Sequence, residues 1–297
     1  MDDPPIVLGK LGQSPDAGEC ARSRHAGAAA FPLAHAVHPS PSPESLPVCR
    51  DQPLEILYRD EDLVAIAKPS GLLVHRTRLD AWARDFAVQR LRDQLGCTVY
   101  PVHRLDKATS GVLLFALNPL ALGSVSSAFE RGRVEKRYLA IVRGWPPLTL
   151  LIDYPLSRLH DAYEPGEPPE GLQPAFTRLT RLATAQLPVC VDRYPESRYA
   201  LVALVPDSGR RHQLRRHLKH AGHPIIGDTT YGQGRHNRLF RSRFANERLL
   251  LAAIALSFEH PRTGTLLSIG APPAADFARV AAGLGWPDLA ALDMAGR

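Results

Sequence analysis

Three stretches of this 297-residue sequence carry side chains able to do chemistry. The first, Val102-His103-Arg104-Leu105-Asp106-Lys107-Ala108-Thr109-Ser110-Gly111, sets one carboxylate among basic residues between two apolar segments. Nearby cations lower a carboxylate's pKa, so Asp106 would be held ionised. Taken alone, the run also reads as a turn capped by Asp106 and Thr109. A kinase catalytic loop likewise begins His-Arg, but its Asp follows at once, and the sequence has neither Asp-Phe-Gly nor a Gly-rich nucleotide loop. The second stretch, Val134–Gly144, holds Lys136-Arg137-Tyr138 and reads by itself as a strand with one aromatic turned to the core. The third runs from Pro206 through Arg210, Arg211, His212, Gln213, Arg215 and Arg216 to His223-Pro224-Ile225-Ile226-Gly227-Asp228.

Between Asp207 and Arg243 lie nine basic residues, two acids and five histidines, a net of about +7 in 37 residues. A solvated helix face is the bland account of a charge run, but this density fits a phosphate track better. His212, His217, His220 and His223 contain no pair four apart, and the neighbouring arginines repel cations. No metal is expected from them.

The elements that must hold these residues follow from periodicity. Leu54–Tyr58 and Leu63–Ala67 read as a hairpin-like strand pair, and Lys68-Pro69-Ser70-Gly71 as a turn. Val112–Leu117, Arg137–Val142, Phe176–Ala183, Tyr199–Val205 and Ala252–Phe258 read as further strands. Helices are expected over Arg84–Leu95 with Gly96 as C-cap, Pro119–Arg131, Arg210–His220 and Ala274–Gly283. Many strands with few, scattered helices predict an α+β fold with a mixed, mostly antiparallel sheet and flanking helices and loops. Residues 54–297 would form that one domain.

Residues 1–53 differ. They hold nine of the 27 prolines and a net charge of −2, against +8 for the remainder. They read as a flexible tail unable to bury enough surface to order itself. Ala26–Val37 is apolar behind Arg22 and Arg24, yet upstream acids and a Pro-rich exit argue against a signal sequence. Translation starting near Val48 is an alternative that intact mass would decide. No run reaches the roughly 18–20 apolar residues of a membrane span. The four cysteines, Cys20, Cys49, Cys97 and Cys190, lack C-x-x-C spacing, so neither zinc nor a dense disulfide framework is expected, and a reducing, cytoplasmic location fits. Of 36 basic residues 31 are Arg, which either genomic bias or phosphate recognition would explain.

The three stretches, with Lys68-Pro69-Ser70-Gly71-Leu72 before them, together resemble the motifs of the RluA-type RNA pseudouridine synthases. The likeness spans Leu54 to Ile269. Val74-His75-Arg76, Tyr154-Pro155-Leu156, Gln173-Pro174-Ala175, Arg215-Arg216-His217-Leu218 and His236-Asn237-Arg238 are most similar to a tRNA-acting branch of that family, which lacks the small N-terminal RNA-binding domain of many relatives.

The resemblance implies a pseudouridine-synthase-like catalytic domain that isomerises one uridine, near the tRNA acceptor stem (position 65), to pseudouridine. It implies no cofactor and RNA as the partner. Asp106 would be the nucleophile or the group stabilising charge at the ribose, Arg215 its matching cation, and Tyr138 the ring stacked on the target base and an aid to proton removal from the sugar or base. Arg104 would fill the stack vacated by the flipped base with His103 buttressing it, and Arg210, Arg211, His212 and Gln213 would contact RNA. The same chemistry on ribosomal RNA, or a non-catalytic RNA-binding protein, are the alternatives. Intact Asp106, Tyr138 and Arg215 disfavour the last.

Overall fold

The computed structural model describes residues 6–8, 52–75, 85–159 and 171–289. The expected tail therefore lies outside the described residues except for 6–8, 52 and 53, as does Arg76.

The elements run β1 (Ile6–Leu8), β2 (Ile56–Arg59), β3 (Leu63–Lys68), α1 (Ala87–Leu95), β4 (Tyr100–Pro101), β5 (Ser110–Ala116), α2 (Pro119–Glu130) and β6 (Glu135–Arg143). Next come β7 (Thr149–Asp153), β8 (Leu156–Ser157), β9 (Leu172–Gln173), β10 (Phe176–Leu187), β11 (Ser197–Pro206), α3 (Gln213–His220) and α4 (Gly234–Phe244). The chain closes on β12 (Leu251–Glu259), β13 (Leu266–Gly270) and α5 (Ala275–Gly283). The described sheet is ordered β1-β7-β10-β11-β6-β12-β5-β3-β2, with β13 on β12 and β4 on β5, and β8 and β9 pair apart from it. Only β1 with β7 and β12 with β5 are parallel pairs in that sheet, so it is mixed and mostly antiparallel, in an α+β arrangement.

Local chemistry sets the ends of these elements. Asn118 caps α2 by accepting from the Ala121 N–H at 2.9 Å, and Pro119 fills the first helical position. Gly96 ends α1 in the left-handed region at φ 68°. Every residue of β5 is buried, which marks a central strand covered on both faces. On β6, Leu139 and Ile141 pack with Phe240 of α4 and Phe277 of α5, while Ala140 and Val142 pack with Leu214 and Leu218 of α3. The strand's two-residue period thus divides the core between two layers of helix.

Two departures from the sequence reading bear on the site. The basic helix begins at Gln213 rather than Arg210, because residues 207–212 form the turn that carries its N-terminus. A further helix, α4, occupies Gly234–Phe244, where the Arg-rich sequence hid a face formed by His236 and Phe240. Strand Ile6–Leu8, whose partners are Leu150–Ile152 of β7, was likewise not expected within the N-terminal segment.

The strands part where the loop bearing Asp106 sits. β5 and β12 pair through only two residue pairs, Ser110 with Ala252 and Gly111 with Ala253. Farther along β5, β4 takes the pairing, opposite Phe115 and Ala116. The loop from β4 back to the start of β5, residues 102–109, fills the resulting fork. Gly111 makes the close approach possible: its φ is +111°, and a Cβ there would collide with the Ala253 carbonyl.

Candidate active site

The loop in the fork carries Asp106, and its position is fixed from two sides. Gly71 N–H donates to Lys107 O at 2.8 Å, and Ser70 Oγ donates to Ala108 O at 2.8 Å. Lys68, 1% exposed, donates from Nζ to the carbonyls of Pro69, Leu72 and Lys107 at 2.7–3.2 Å. Burial and, secondarily, Arg248 push the Lys68 amine down to about 7, whereas Asp106 opposes them. Its three carbonyl acceptors match the three protons of an ammonium, so the cradle favours the charged form. The turn at residues 68–72 is thus laced to the loop through a buried lysine.

On the other side His103 stacks on Phe129 of α2, with ring centroids 5.0 Å apart, and its Nε2 accepts from the Leu114 N–H at 3.1 Å. That acceptor role requires the neutral ring. Burial, with Lys136 nearby, pushes His103 down to about 4. His217, fully buried on α3, bridges Thr177 Oγ1 (2.9 Å) and Tyr154 O (3.0 Å), and burial pushes it down to about 4 as well.

Both histidines stay neutral in the fold, while the unfolded chain protonates them near 6.5. Between about pH 6.5 and 4 the unfolded state binds protons that the folded state refuses. Stability should therefore be full above 6.5 and fall as pH drops through this window, by up to about 2.7 kcal/mol per pH unit for both groups. Urea midpoints measured from pH 7 to 4.5 test this, and His217→Asn should lower the slope by up to about 1.4 kcal/mol per pH unit, the share of one group. An unchanged slope in that variant would exclude His217 as a source.

Asp106 Oδ2 lies 3.2 Å from Arg215 Nη1 and 3.7 Å from His212 Nε2. Arg215, 8% exposed, has a second and closer carboxylate partner, Asp228: Nε–Oδ2 is 2.7 Å and Nη2–Oδ1 is 2.9 Å. Asp228 is 1% exposed and also accepts the N–H groups of Thr230 and Tyr231, both at 2.9 Å. Burial works against the charge on both partners. Their hydrogen bonds and mutual attraction outweigh it, so the Asp228 carboxyl lies below its usual range and the Arg215 guanidinium above its own. Asn237 of α4 braces this pair, its side chain accepting from Gly227 N–H at 2.8 Å and donating to Asp228 O at 2.9 Å. Two donors along one edge of the guanidinium are thus committed to Asp228, and Nη1 is left to point at Asp106.

Around Asp106 is a small cavity of about 100 Å³, lined also by Arg104, Lys136, Tyr138, Arg210 and His212. This is well below the roughly 300–1,000 Å³ of a drug-sized pocket, so it suits one small planar group. Tyr138 lies where the packing around α3 meets that around α1. Burial pushes its phenol up and Asp106 adds to this, so the hydroxyl keeps its proton at neutral pH. His212 adopts a left-handed backbone (φ 56°), uncommon for a residue with a side chain, and its Nδ1 lies 3.0 Å from Tyr231 Oη. Burial pushes this ring down also, against the pull of Asp106.

Of the residues anticipated from sequence, Asp106, Tyr138, Arg215, Arg104, Arg210, His212 and Gln213 all line the cavity. Arg104 is exposed at its mouth. Arg211 is half-buried outside the lining, and His103 sits behind the loop. Gln213 differs from a direct RNA contact. Its carbonyl accepts from Ser208 Oγ (2.7 Å) and Arg210 N–H (3.0 Å), and its amide donates to Phe176 O and Thr177 Oγ1. Both its donors and its acceptor are taken within the protein, so it holds the turn that precedes α3. The sequence reading did not single out Asp228 as Arg215's partner, nor Asn237 behind it. Among the described residues no group of His, Cys, Asp or Glu has the makings of a metal site. Nor is any helix among them long and apolar enough to cross a membrane.

A carboxylate held by one arginine nitrogen beside a half-buried tyrosine, set in a forked mixed sheet, agrees with the family comparison. Residues 62–220 match the model of the RNA pseudouridylate synthases, and the chain belongs to that family of enzymes. Among its relatives, tRNA pseudouridine synthase C of Vibrio cholerae is 47% identical over 220 residues, covering 73% of this chain and 90% of that protein. The protein of the same name from Haemophilus ducreyi is 48% identical over 219 residues, with the same coverage. Among solved structures, human RNA pseudouridylate synthase domain containing 1 superposes with a TM-score of 0.59 at 28% identity, covering 77% of this chain and 86% of that one.

Proposed function

We propose that this enzyme converts a uridine in the acceptor-stem region of tRNA, position 65, into pseudouridine, with Asp106 as its catalytic carboxylate. The observation that carries the chemistry is Asp106 held 3.2 Å from Arg215 in a cavity whose wall includes Tyr138. Support for the tRNA substrate comes from relatives named tRNA pseudouridine synthase C that match over nine-tenths of their length. Such a substrate places the enzyme in the cytoplasm.

The reaction breaks the bond from uracil N1 to ribose C1′ and makes one from C5 to C1′. The proton lost from C5 is balanced by one gained at N1, so no electrons are transferred. Asp106 acts at C1′, as nucleophile or as the counter-charge to a cationic ribose. Arg215 holds that carboxylate turned to the sugar through Nη1 and faces its charge with a cation anchored on Asp228. Tyr138, with its proton retained, packs against the base and donates rather than acting as a phenolate. A stacked uridine cannot enter the cavity, so it is flipped out at roughly a few kcal/mol, and Arg104 at the cavity mouth takes its place. Arg235, Arg238 and Arg241, exposed on α4 at intervals of three, follow the phosphate backbone with Arg210 and Arg211.

The test is to incubate the purified protein with tRNA and ribosomal RNA transcripts and map pseudouridine at single-nucleotide resolution. One modified uridine at position 65 of tRNA is expected. Modification confined to ribosomal RNA would move the substrate, and modification of neither would remove the reading.

A further inference from the structure

On the opposite face of the strand that carries Tyr138 lies a second basic depression. We propose that this groove binds the phosphate backbone of the substrate RNA on the flank of the active site away from α3 and α4. The proposal rests on the reading of this protein as a tRNA-modifying enzyme.

The groove has a volume of about 920 Å³, and its lining includes Arg131, Arg133, Arg137 and Arg262 with Glu135 and Glu259; Asp62 and Glu61 beside Arg262 balance the remaining excess, so the positive charge open to a ligand is that of Arg131 and Arg133. The four arginines differ. Arg262 is tied to Asp62 and Glu61, and Arg137 to Glu135, so these two could serve the fold alone. Arg131 and Arg133 are exposed and have no carboxylate partner among the described residues. Yet the backbone that carries them is set. Gly132 takes the left-handed conformation (φ 68°) at the end of α2, with Gly132 N–H donating to Phe129 O at 3.2 Å and Arg133 N–H to Ala128 O at 2.9 Å. This turn sets both side chains on the lining of one groove, within reach of a single anion.

The groove is joined to the catalytic machinery in two ways. Along β6, Glu135 and Arg137 face the groove, while Lys136 and Tyr138 line the cavity around Asp106. Neighbours on a strand are about 3.3 Å apart, so one strand separates the two surfaces. Phe129, two residues before Arg131, carries the stacked ring of His103 from the catalytic loop. A backbone leaving the cavity past Arg104 and over the end of this strand therefore meets Arg131 and Arg133 next. Ser124 and Ser127 of α2 add hydroxyls to the same lining. A partner protein would ordinarily be met by an apolar centre, whereas here two exposed arginines, without a carboxylate partner among the described residues, lie beside an RNA-modifying site.

The experiment compares wild type, Arg131→Ala/Arg133→Ala and Arg131→Glu/Arg133→Glu on tRNA transcripts, with KM, kcat and the salt dependence of binding as readouts. Both side chains are exposed and make no ion pair among the described residues, so melting temperatures should match wild type. The Ala pair should raise KM on the order of tenfold near physiological salt and lower the salt slope by about two. At saturating tRNA, kcat should be unchanged. The Glu pair should raise KM further. With wild type active on tRNA, an unchanged KM and slope in both variants would overturn the groove while leaving the substrate reading intact. A defect seen only in cells, with normal kinetics on pure tRNA, would also overturn it and assign the surface to a protein. Wild type inactive on tRNA would instead overturn the reading on which the groove rests.

Discussion

Asp106→Asn should abolish pseudouridine formation while leaving the protein folded and able to bind tRNA. Asn is nearly isosteric with Asp, and the backbone bonds that hold the loop, from Gly71, Ser70 and Lys68, reach the carbonyls of residues 107 and 108 rather than this side chain. Arg215 loses one contact at 3.2 Å and keeps both bonds to Asp228, so no buried charge is left without a partner. The stability change should stay within about 1 kcal/mol, as for a part-exposed pair. Catalysis has no such reserve. An amide can neither add to C1′ at a useful rate nor balance a cationic ribose, and removing a catalytic nucleophile has cost other enzymes up to about 10⁶-fold. A loss of at least about 10⁴-fold is expected in single-turnover release of tritium from C5-labelled uridine in tRNA. Binding should be equal or slightly tighter, because one negative charge facing the RNA is gone. Turnover within tenfold of wild type would remove Asp106 from the chemistry.

How much of this could be read from sequence depended on how far apart the interacting residues are along the chain. Tyr138 and Asp106 sit in short runs whose neighbours repeat the pattern of a family, and β6 under Tyr138 and β5 after the Asp106 loop show themselves as apolar runs of strand length. Helix α3 showed itself by charge, α1 and α2 by their caps. Helix α4 did not, because four of its eleven residues are Arg and its apolar side is narrow. Short strands such as Tyr100–Pro101 and Leu156–Ser157 have no periodicity to detect, since pairing with a neighbour creates them.

The site showed the same limit. Arg215 could be matched to Asp106 by likeness, but its nearer partner Asp228 is thirteen residues on and looked like part of a turn. The same holds for Gln213, whose amide is used to close the turn at Ser208–Arg210. The groove beyond β6 left no trace in the charge profile. Its arginines come from residues 131–137 and from 262, with acids interleaved, whereas the block at 207–243 is continuous.

Asp228 gives the second large effect. Asp228→Asn replaces a carboxylate that is 1% exposed and that takes two guanidinium N–H donors and two backbone N–H groups. The amide keeps one acceptor and sets an NH₂ against Arg215 or against the N–H groups of Thr230 and Tyr231. Arg215 is itself buried, and removing one member of a buried pair leaves a charge without compensation, at about 3–5 kcal/mol. Asp106, part-exposed and a single bond away, can offset only a fraction of this, so a loss of about 3 kcal/mol in urea unfolding is expected. Activity should fall separately from stability. Freed from Asp228, the guanidinium can rotate to pair with both oxygens of Asp106, which engages the carboxylate that must act at C1′. A misplacement of about 1 Å costs on the order of 10²-fold, and kcat should fall by that factor with KM for tRNA nearly unchanged. The assay belongs well below the variant's melting temperature, with folding checked by near-UV circular dichroism. A folded variant with kcat within threefold of wild type would show that Arg215 is held by the rest of α3 and that Asp228 stabilises the fold only. A fall in kcat without a change in KM would instead place Asp228 as a positioning residue, acting on Asp106 through the arginine they share.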